Sequence, residues 1–326
     1  MTQLELENQK LKETLPPVSY QHVKGTPLVY YYTGLQEDVY EQLSLWLMRI
    51  EVNYVQGWKV LVVSKEDQIF LTMMKLRLNF DFIDLGFRFR ISDKTVSNIF
   101  FTWLEVLHTI LFPLIKMPST SKNKLSLPAS FSKYTNCRVV VDCTEIEGDV
   151  PRLSLDESSR LFSSYKKRHT FKFLVGCAPN GVITIVSEAF PGNTSDKVIF
   201  DKSGINNFLV KGDMVLADKG FLISDVVPSG VHVNLPHFLV NKQFTPLQIN
   251  HTYEVANARI IIERVNARIK NFHIVERFPH LMRRHATKIF QVCCCLVNLQ
   301  NPLIVDIPGR KEETEDLDES EDLCGQ

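Results

Sequence analysis

Three carboxylates stand out by position. Asp142 closes the apolar run of VVVDCTE, Asp218 closes that of VLADKGF, and Glu263 lies inside RIIIERVNARIK, residues 259–270. Withdrawing an unpaired carboxylate from water costs several kcal/mol, so an acid at the end of a buried strand is exposed, paired or holding a cation. A turn-capping aspartate is the plain reading of Asp142 or Asp218 alone. For Glu263 the plain reading is an i, i+4 pair with Arg259, worth a few tenths of a kcal/mol. Taken together, two strand-end aspartates and a helix-borne glutamate can converge on divalent cations. Hard cations such as Mg²⁺ take carboxylate oxygens and keep water positions open. Two of them close together activate a water and stabilise the leaving oxygen of a phosphodiester.

The helix that must carry Glu263 runs from about Tyr253 to Phe272. At about 100° per residue, Ile261, Ile262, Val265, Ile269 and Phe272 share the core face. Arg259, Glu263, Asn266 and Lys270 form a polar stripe on its border. Arg264, Arg268 and Asn271 form a second stripe, directed to solvent or to a phosphate backbone. Residues 255–288 hold eight Lys and Arg against two acids. Such a stretch can follow a phosphate backbone, or be an ordinary solvated face.

The two aspartates need strands. CRVVVDCTEI, TFKFLVGCA, GVITIVSEAF and DMVLADKGF read as four, the middle two joined by the hairpin signal PNG. The near-continuous apolar run of the last suits a sheet covered on both faces. A final helix is expected over RRHATKIFQVCCCLVNLQ. His169, before the second strand, either assists the site or is a surface histidine. The Asn193-Thr194-Ser195 sequon has no meaning without secretion.

Residues 36–115 read as helices. EDVYEQLSLWLMRI puts Val39, Leu43, Trp46, Leu47 and Ile50 on one face. Ser92 is a good N-cap for the next strongly periodic run, whose buried face is Val96, Ile99, Phe100, Trp103, Leu104 and Leu107. Two helices joined by FRIS fit a helix-turn-helix. In that reading Lys94, Thr95, Ser97 and Asn98 reach base edges, while Arg88 and Arg90 sit on phosphates. The alternative is a plain helical subdomain with a solvated face. VYYYTG reads as a short extended piece, and Leu4 and Leu11 make one heptad step only.

The 326 residues are 44% hydrophobic, enough for a substantial core. No apolar run reaches the roughly 18 residues of a membrane span, so no membrane association is expected. The polar start is unlike a signal peptide. Seven scattered cysteines lack zinc-site spacing and read as buried reduced thiols. The net charge of zero hides a division: without the acidic run 311–322, 36 basic residues face 29 acidic ones. That run reads as a disordered tail, able to compete for a basic surface.

VVVDCTEI, YKKRHTFKFLVGCAPNGVITIVSEAFPGNTSDK, VLADKGF and ANARIIIERVNARIKNF together resemble the DDE transposase domain of the PIF/Harbinger superfamily. The resemblance covers roughly residues 70–302 and includes the helix-turn-helix. It implies an α/β fold, an RNase H-like mixed sheet flanked by helices, preceded by an all-α helix-turn-helix subdomain. It implies catalytic and metal-binding roles for Asp142, Asp218 and Glu263, with two Mg²⁺ or Mn²⁺ ions. Arg259 and Lys270 would neutralise DNA phosphates, and Asp196 matches a further acid of the family. The expected organisation is an N-terminal arm (1–35), a DNA-binding helical part (36–115), a linker (116–136), the nuclease domain (137–302) and the tail (303–326).

Two positions depart from the family pattern. Ala256 stands where related transposases often have Tyr, and Arg90 where a turn glycine is common. Close relatives often carry a THAP zinc finger in front, whereas residues 1–136 contain no cysteine. The expectation is a nuclear, metal-dependent DNA endonuclease and strand-transferase with DNA as partner, a possible homo-oligomer, and a separate DNA-binding protein in trans. The alternatives are a domesticated non-catalytic DNA-binding or interaction protein, and a nuclease acting on RNA or hybrids. The DNA-contact set is Arg90, Lys94, Thr95, Asn98, Arg259, Arg264, Arg268 and Lys270.

Overall fold

The computed structural model describes residues 16–150, 159–218, 220–234 and 246–304, the last stretch with side chains from Val255 onward. Leu4, Leu11, the acidic run 311–322 and Cys324 lie outside the described residues.

The periodic N-terminal segments are helices: α1 (Leu28–Thr33), α2 (Glu37–Met48), α3 (Lys65–Leu78), α4 (Phe82–Phe89) and α5 (Asp93–Leu111). The VYYYTG stretch, expected to be extended, is α1, stopped by Gly34 at φ 74°. The buried face of α2 is Tyr40, Leu43, Ser44 and Leu47, rotated from the expected one, so Trp46 is 45% exposed. An aromatic cluster sets that rotation. Tyr40 packs on Tyr20 at 4.8 Å and on Phe70 at 6.3 Å between ring centroids. Tyr20 belongs to the expected N-terminal arm, yet it is fully buried with Val29 and Leu35. Residues 16–35 are therefore part of the helical body.

Helix α5 forms as its sequence predicts. The Ser92 side chain accepts from the Thr95 N–H, and the six apolar residues of its expected inner face are all buried. The α4–α5 turn folds back through Ile91 N–H to Gly86 C=O (2.9 Å) and Arg90 N–H to Phe87 C=O (3.4 Å). This reverse pairing ends a helix with a left-handed residue, usually glycine. Here that residue is Arg90 at φ 54°. The departure noted in the sequence is thus a real backbone strain.

The second half is a mixed sheet. Its strands are β1 (Cys137–Gly148), β2 (Phe162–Ser163), β3 (Arg168–Cys177), β4 (Ile183–Val186), β5 (Phe190–Pro191), β6 (Met214–Leu216), β7 (His232–Asn234) and β8 (Arg277–Phe278). The main path is β2–β3–β1–β6–β7, with β4 and β5 paired to β3 and β8 to β1. Strand β1 runs antiparallel to β3 and parallel to β6, and β6 runs parallel to β7. The PNG hairpin forms with Gly181 at φ 87°. Helix α7 (Asp196–Lys202) covers one face; α8 (Pro246–Lys270) and α9 (Ala286–Asn298) cover the other. Alternate β1 residues serve two cores: Val140 and Ile146 face one, Val139 and Val141 the other. This is the expected RNase H-like α/β arrangement behind an all-α region.

The region 116–136, expected to be a linker, is folded. It contains α6 (Thr120–Leu125), and buried Asn123 donates to the carbonyls of Cys137 (2.8 Å) and Arg138 (3.1 Å) at the start of β1. Helical region and sheet share one continuous core, from Phe70 and Trp103 to Phe173 and Phe290. Polar ties reinforce it: His108 to Gln291 at 2.7 Å and Gln300 to the Gly34 carbonyl at 2.8 Å. By length and composition, Asp93–Leu114 is apolar enough to cross a membrane, which the sequence reading did not expect. Its inner face packs against α3, α4 and α9 as a core helix.

The turn yields a paired expectation. Arg90→Gly removes left-handed strain and should stabilise the protein by about 1 kcal/mol in urea denaturation. Gly86→Ala should destabilise it by about 1–3 kcal/mol, because its Cβ would lie 2.7 Å from the Ile91 carbonyl oxygen.

Candidate active site

The buried pair Arg138–Asp213 (3.5 Å) ties the start of β1 to the start of β6. Asn136 adds its carbonyl to the Met214 N–H (2.9 Å). These contacts fix the parallel register in which Val140 lies opposite Leu216. Continued by two residues, that register sets Asp218, just past the end of β6, beside Asp142. Asp142 lies midway along β1 and not at the strand end expected from its sequence, because the strand runs on to Gly148. Asp218 itself begins a tight turn, accepting from the Phe221 N–H at 2.9 Å, and buried Phe221 anchors the turn in the second core. The Asp-x-Gly-Phe pattern is therefore a device for holding Asp218 at the strand end.

Helix α8 supplies the third side. Val255, Ala258, Ile262, Val265 and Ile269 are buried at alternating three- and four-residue steps, which fixes its rotation on the sheet. The polar stripe then falls where the sequence placed it. Arg259 Nη1 lies 3.1 Å from Asp218 Oδ1. Asn266 Nδ2 donates to Asp142 Oδ2 at 2.9 Å. Glu263, one turn from both, is exposed. Among the described residues, no three His, Cys, Asp or Glu side chains come together in a group able to hold a metal ion.

Asn266 is the site residue that the sequence reading did not single out. It was on the polar stripe, and its step of three from Glu263 was the available signal. It is only 8% exposed, the one polar residue among the buried positions of α8 from Val255 to Lys270.

The electrostatics follow from burial. Desolvation pushes the Asp142 carboxyl up to about 6, with Arg259 opposing and the charges of Asp218 and Asp196 adding to the rise. Asp196, the first residue of α7, pairs with Lys172 at 2.6 Å. Lys172 also reaches Glu145 at 4.0 Å, so this acid is charge-balanced on the opposite face of β1.

The donor set suits a hard cation. Asp142 and Asp218 offer carboxylate oxygens, and Asn266 Oδ1 is a buried acceptor with no hydrogen-bond partner. A cation there would share with Arg259 the neutralisation of two acids.

The expected DNA contacts divide. Arg90 and Lys94 are exposed at the helix-turn-helix, and Thr95 is half-buried with its hydroxyl on Ser92 at 2.8 Å. Asn98 is fully buried. Its side chain accepts from Gln56 N–H and donates to the Trp58 carbonyl, each at 3.1 Å. It holds the preceding loop and is withdrawn from any DNA surface. Arg264 and Lys270 are exposed on α8. Arg268 bonds instead to the carbonyls of Asn301 and Pro302, tying α8 to the segment after α9. His169 stands edge-on to Phe162, ring centroids 5.6 Å apart.

Comparison with known families fits this geometry. Residues 141–298 match the model of the DDE superfamily endonuclease, and residues 62–113 match the helix-turn-helix of DDE superfamily endonucleases. No curated protein and no solved structure matches the chain.

The raised Asp142 carboxyl has a stability consequence in the metal-free protein. Between the ordinary value of 3.8 and about 6, the folded state holds a proton that the unfolded state releases. Stability therefore falls as pH rises through that window, and the full cost, about 3 kcal/mol, is present above it. Asp142→Asn should be the more stable protein at pH 7.5, with the difference closing towards pH 4. Urea denaturation across that range measures it.

Proposed function

Because the chain carries a DDE superfamily endonuclease domain behind the helix-turn-helix of such enzymes, we propose that it is a metal-dependent DNA endonuclease and strand-transferase of the PIF/Harbinger transposase type. The observation that carries the reading is the adjacency of Asp142, midway along β1, and Asp218, just past the end of the parallel strand β6, with the polar edge of α8 against them. Divalent cations bound by the carboxylates would activate a water or a 3′-hydroxyl and stabilise the leaving oxygen of the phosphodiester. In this reading Asp142 and Asp218 hold the cations, and Glu263 completes the set from α8. Asn266 keeps the Asp142 carboxylate in one orientation. Arg259 neutralises Asp218 before the cations arrive and can turn to a DNA phosphate afterwards. Lys270 and Arg264 extend that positive edge.

Binding is assigned to the helix-turn-helix, with Arg90 and Lys94 at its exposed turn. Because its core is continuous with that of the nuclease, DNA held there stands at a fixed distance from the carboxylates. Nuclear location, self-association, and recruitment of a separate sequence-reading protein in trans belong to the same proposal.

One observation favours a second reading. Glu263 stands apart, and Arg259 already answers Asp218, as a DNA-binding protein without catalysis would also allow. Nicking of supercoiled plasmid in Mg²⁺ or Mn²⁺ separates the two. The nuclease reading expects metal-dependent nicking that falls by at least about 10³-fold in Asp142→Asn and in Asp218→Asn. DNA binding with no metal-dependent nicking by the unaltered chain would establish the non-catalytic reading.

A further inference from the structure

The turn between β2 and β3 has no part in the site described above. It carries Ser164, Tyr165, Lys166 and Lys167 at the tip of a short hairpin. Its base is ordered by Phe162 pairing with His169 and Ser163 with Arg168. The Ser163 hydroxyl accepts from Lys166 N–H at 3.1 Å, and Arg168 is tied to Glu147 at 2.9 Å. Tyr165, by contrast, is 83% exposed. The Lys166 ammonium lies 5.0 Å from its ring centroid.

Two features set this turn apart from an ordinary solvated loop. Lys167 sits in the left-handed region at φ 53°. Glycine or asparagine takes that conformation more easily, so the turn geometry does not explain a lysine there. Among the described residues three non-glycine positions have positive φ: Asn79, Arg90 and Lys167. The two cations of that set occupy tight turns, and one of those turns is in the helix-turn-helix. Strained backbone of this kind concentrates where a side chain has work to do.

The second feature is placement. In the antiparallel register Asp142 lies opposite Val175 of β3, and Lys167 at the hairpin tip stands eight residues before Val175. Eight residues of extended chain span roughly 27 Å. A DNA duplex passing along β1 from the carboxylates meets the hairpin tip roughly eight base pairs away, at ~3.4 Å per step.

We infer that the 164–167 hairpin tip is a second DNA contact, with Lys166 and Lys167 on backbone phosphates and the Tyr165 ring stacked on an unpaired base of the DNA flanking the cutting site. An exposed ring flanked by cations is the arrangement that holds unstacked bases with little regard to sequence. The inference rests on the DNA-cleaving reading and adds a preference for distorted or single-stranded DNA on the flank of the scissile bond that the hairpin faces.

Fluorescence anisotropy without divalent cations tests it on the full chain. The probes are a short duplex of arbitrary sequence and the same duplex with an internal unpaired stretch. The chain should bind the unpaired probe more tightly. Lys166→Ala with Lys167→Ala should flatten the salt dependence on both probes by about 2 in log–log slope, at ~0.9 per phosphate. Tyr165→Ala should keep the salt slope and lose roughly 10-fold of the preference for the unpaired probe, while Tyr165→Trp retains it. All these side chains are at an exposed tip, so unchanged melting temperatures certify folding. Variants that match the unaltered chain on both probes overturn the hairpin contact and leave the DNA reading standing. Failure of the unaltered chain to bind either probe overturns both.

Discussion

Helix α8 can rest on the sheet in one rotation only, and the site depends on it. Its buried residues alternate in steps of three and four, and turning the helix by one position would expose Ile262 and Val265 to water. At about 25 cal/mol per Å² of apolar surface, losing several such side chains outweighs any polar gain along the edge. The apolar stripe therefore dictates where Arg259, Glu263 and Asn266 stand. Two of them meet carboxylates of the sheet as a result, Arg259 on Asp218 and Asn266 on Asp142.

The sheet contributes the complementary constraint. A buried Arg138–Asp213 pair is costly to desolvate and costlier to break. It sits at the start of both β1 and β6, so it locks the parallel register that brings Asp142 and Asp218 together. The helical region is held to the same frame by a shared core and by side-chain bonds from His108 and Gln300. The α4–α5 turn, where DNA contact is proposed, and the carboxylates of Asp142 and Asp218 thus belong to one frame, and the left-handed Arg90 is a strain this frame sustains.

Much of this was legible in the sequence because it is periodic. The strand runs, the Asn-Gly hairpin, the Ser92 cap and the α8 wheel all follow from local spacing, and the structure reproduces them. What escaped was set by contacts distant in sequence. The rotation of α2 follows from Tyr20 and Phe70, neither in that helix. Asn98 lies one step from the inner face of α5, and only the 55–58 loop folding over it turns a candidate DNA contact into a buried one. Residues 116–136 have linker composition, but Asn123 finds two carbonyls on β1 and orders them. The role of Asn266 was hidden for the same reason: its partner Asp142 is 124 residues away.

The central claim is that Asp142 and Asp218 form one cation site edged by α8. Mn²⁺ titration calorimetry on the full chain tests it without knowledge of any DNA sequence. The account expects saturable Mn²⁺ binding that is lost in Asp142→Ala and in Asp218→Ala, with Glu263→Ala showing a weakened or incomplete site. Mn²⁺ binding of equal strength in the unaltered chain and in both aspartate variants would place the cation elsewhere and contradict the account.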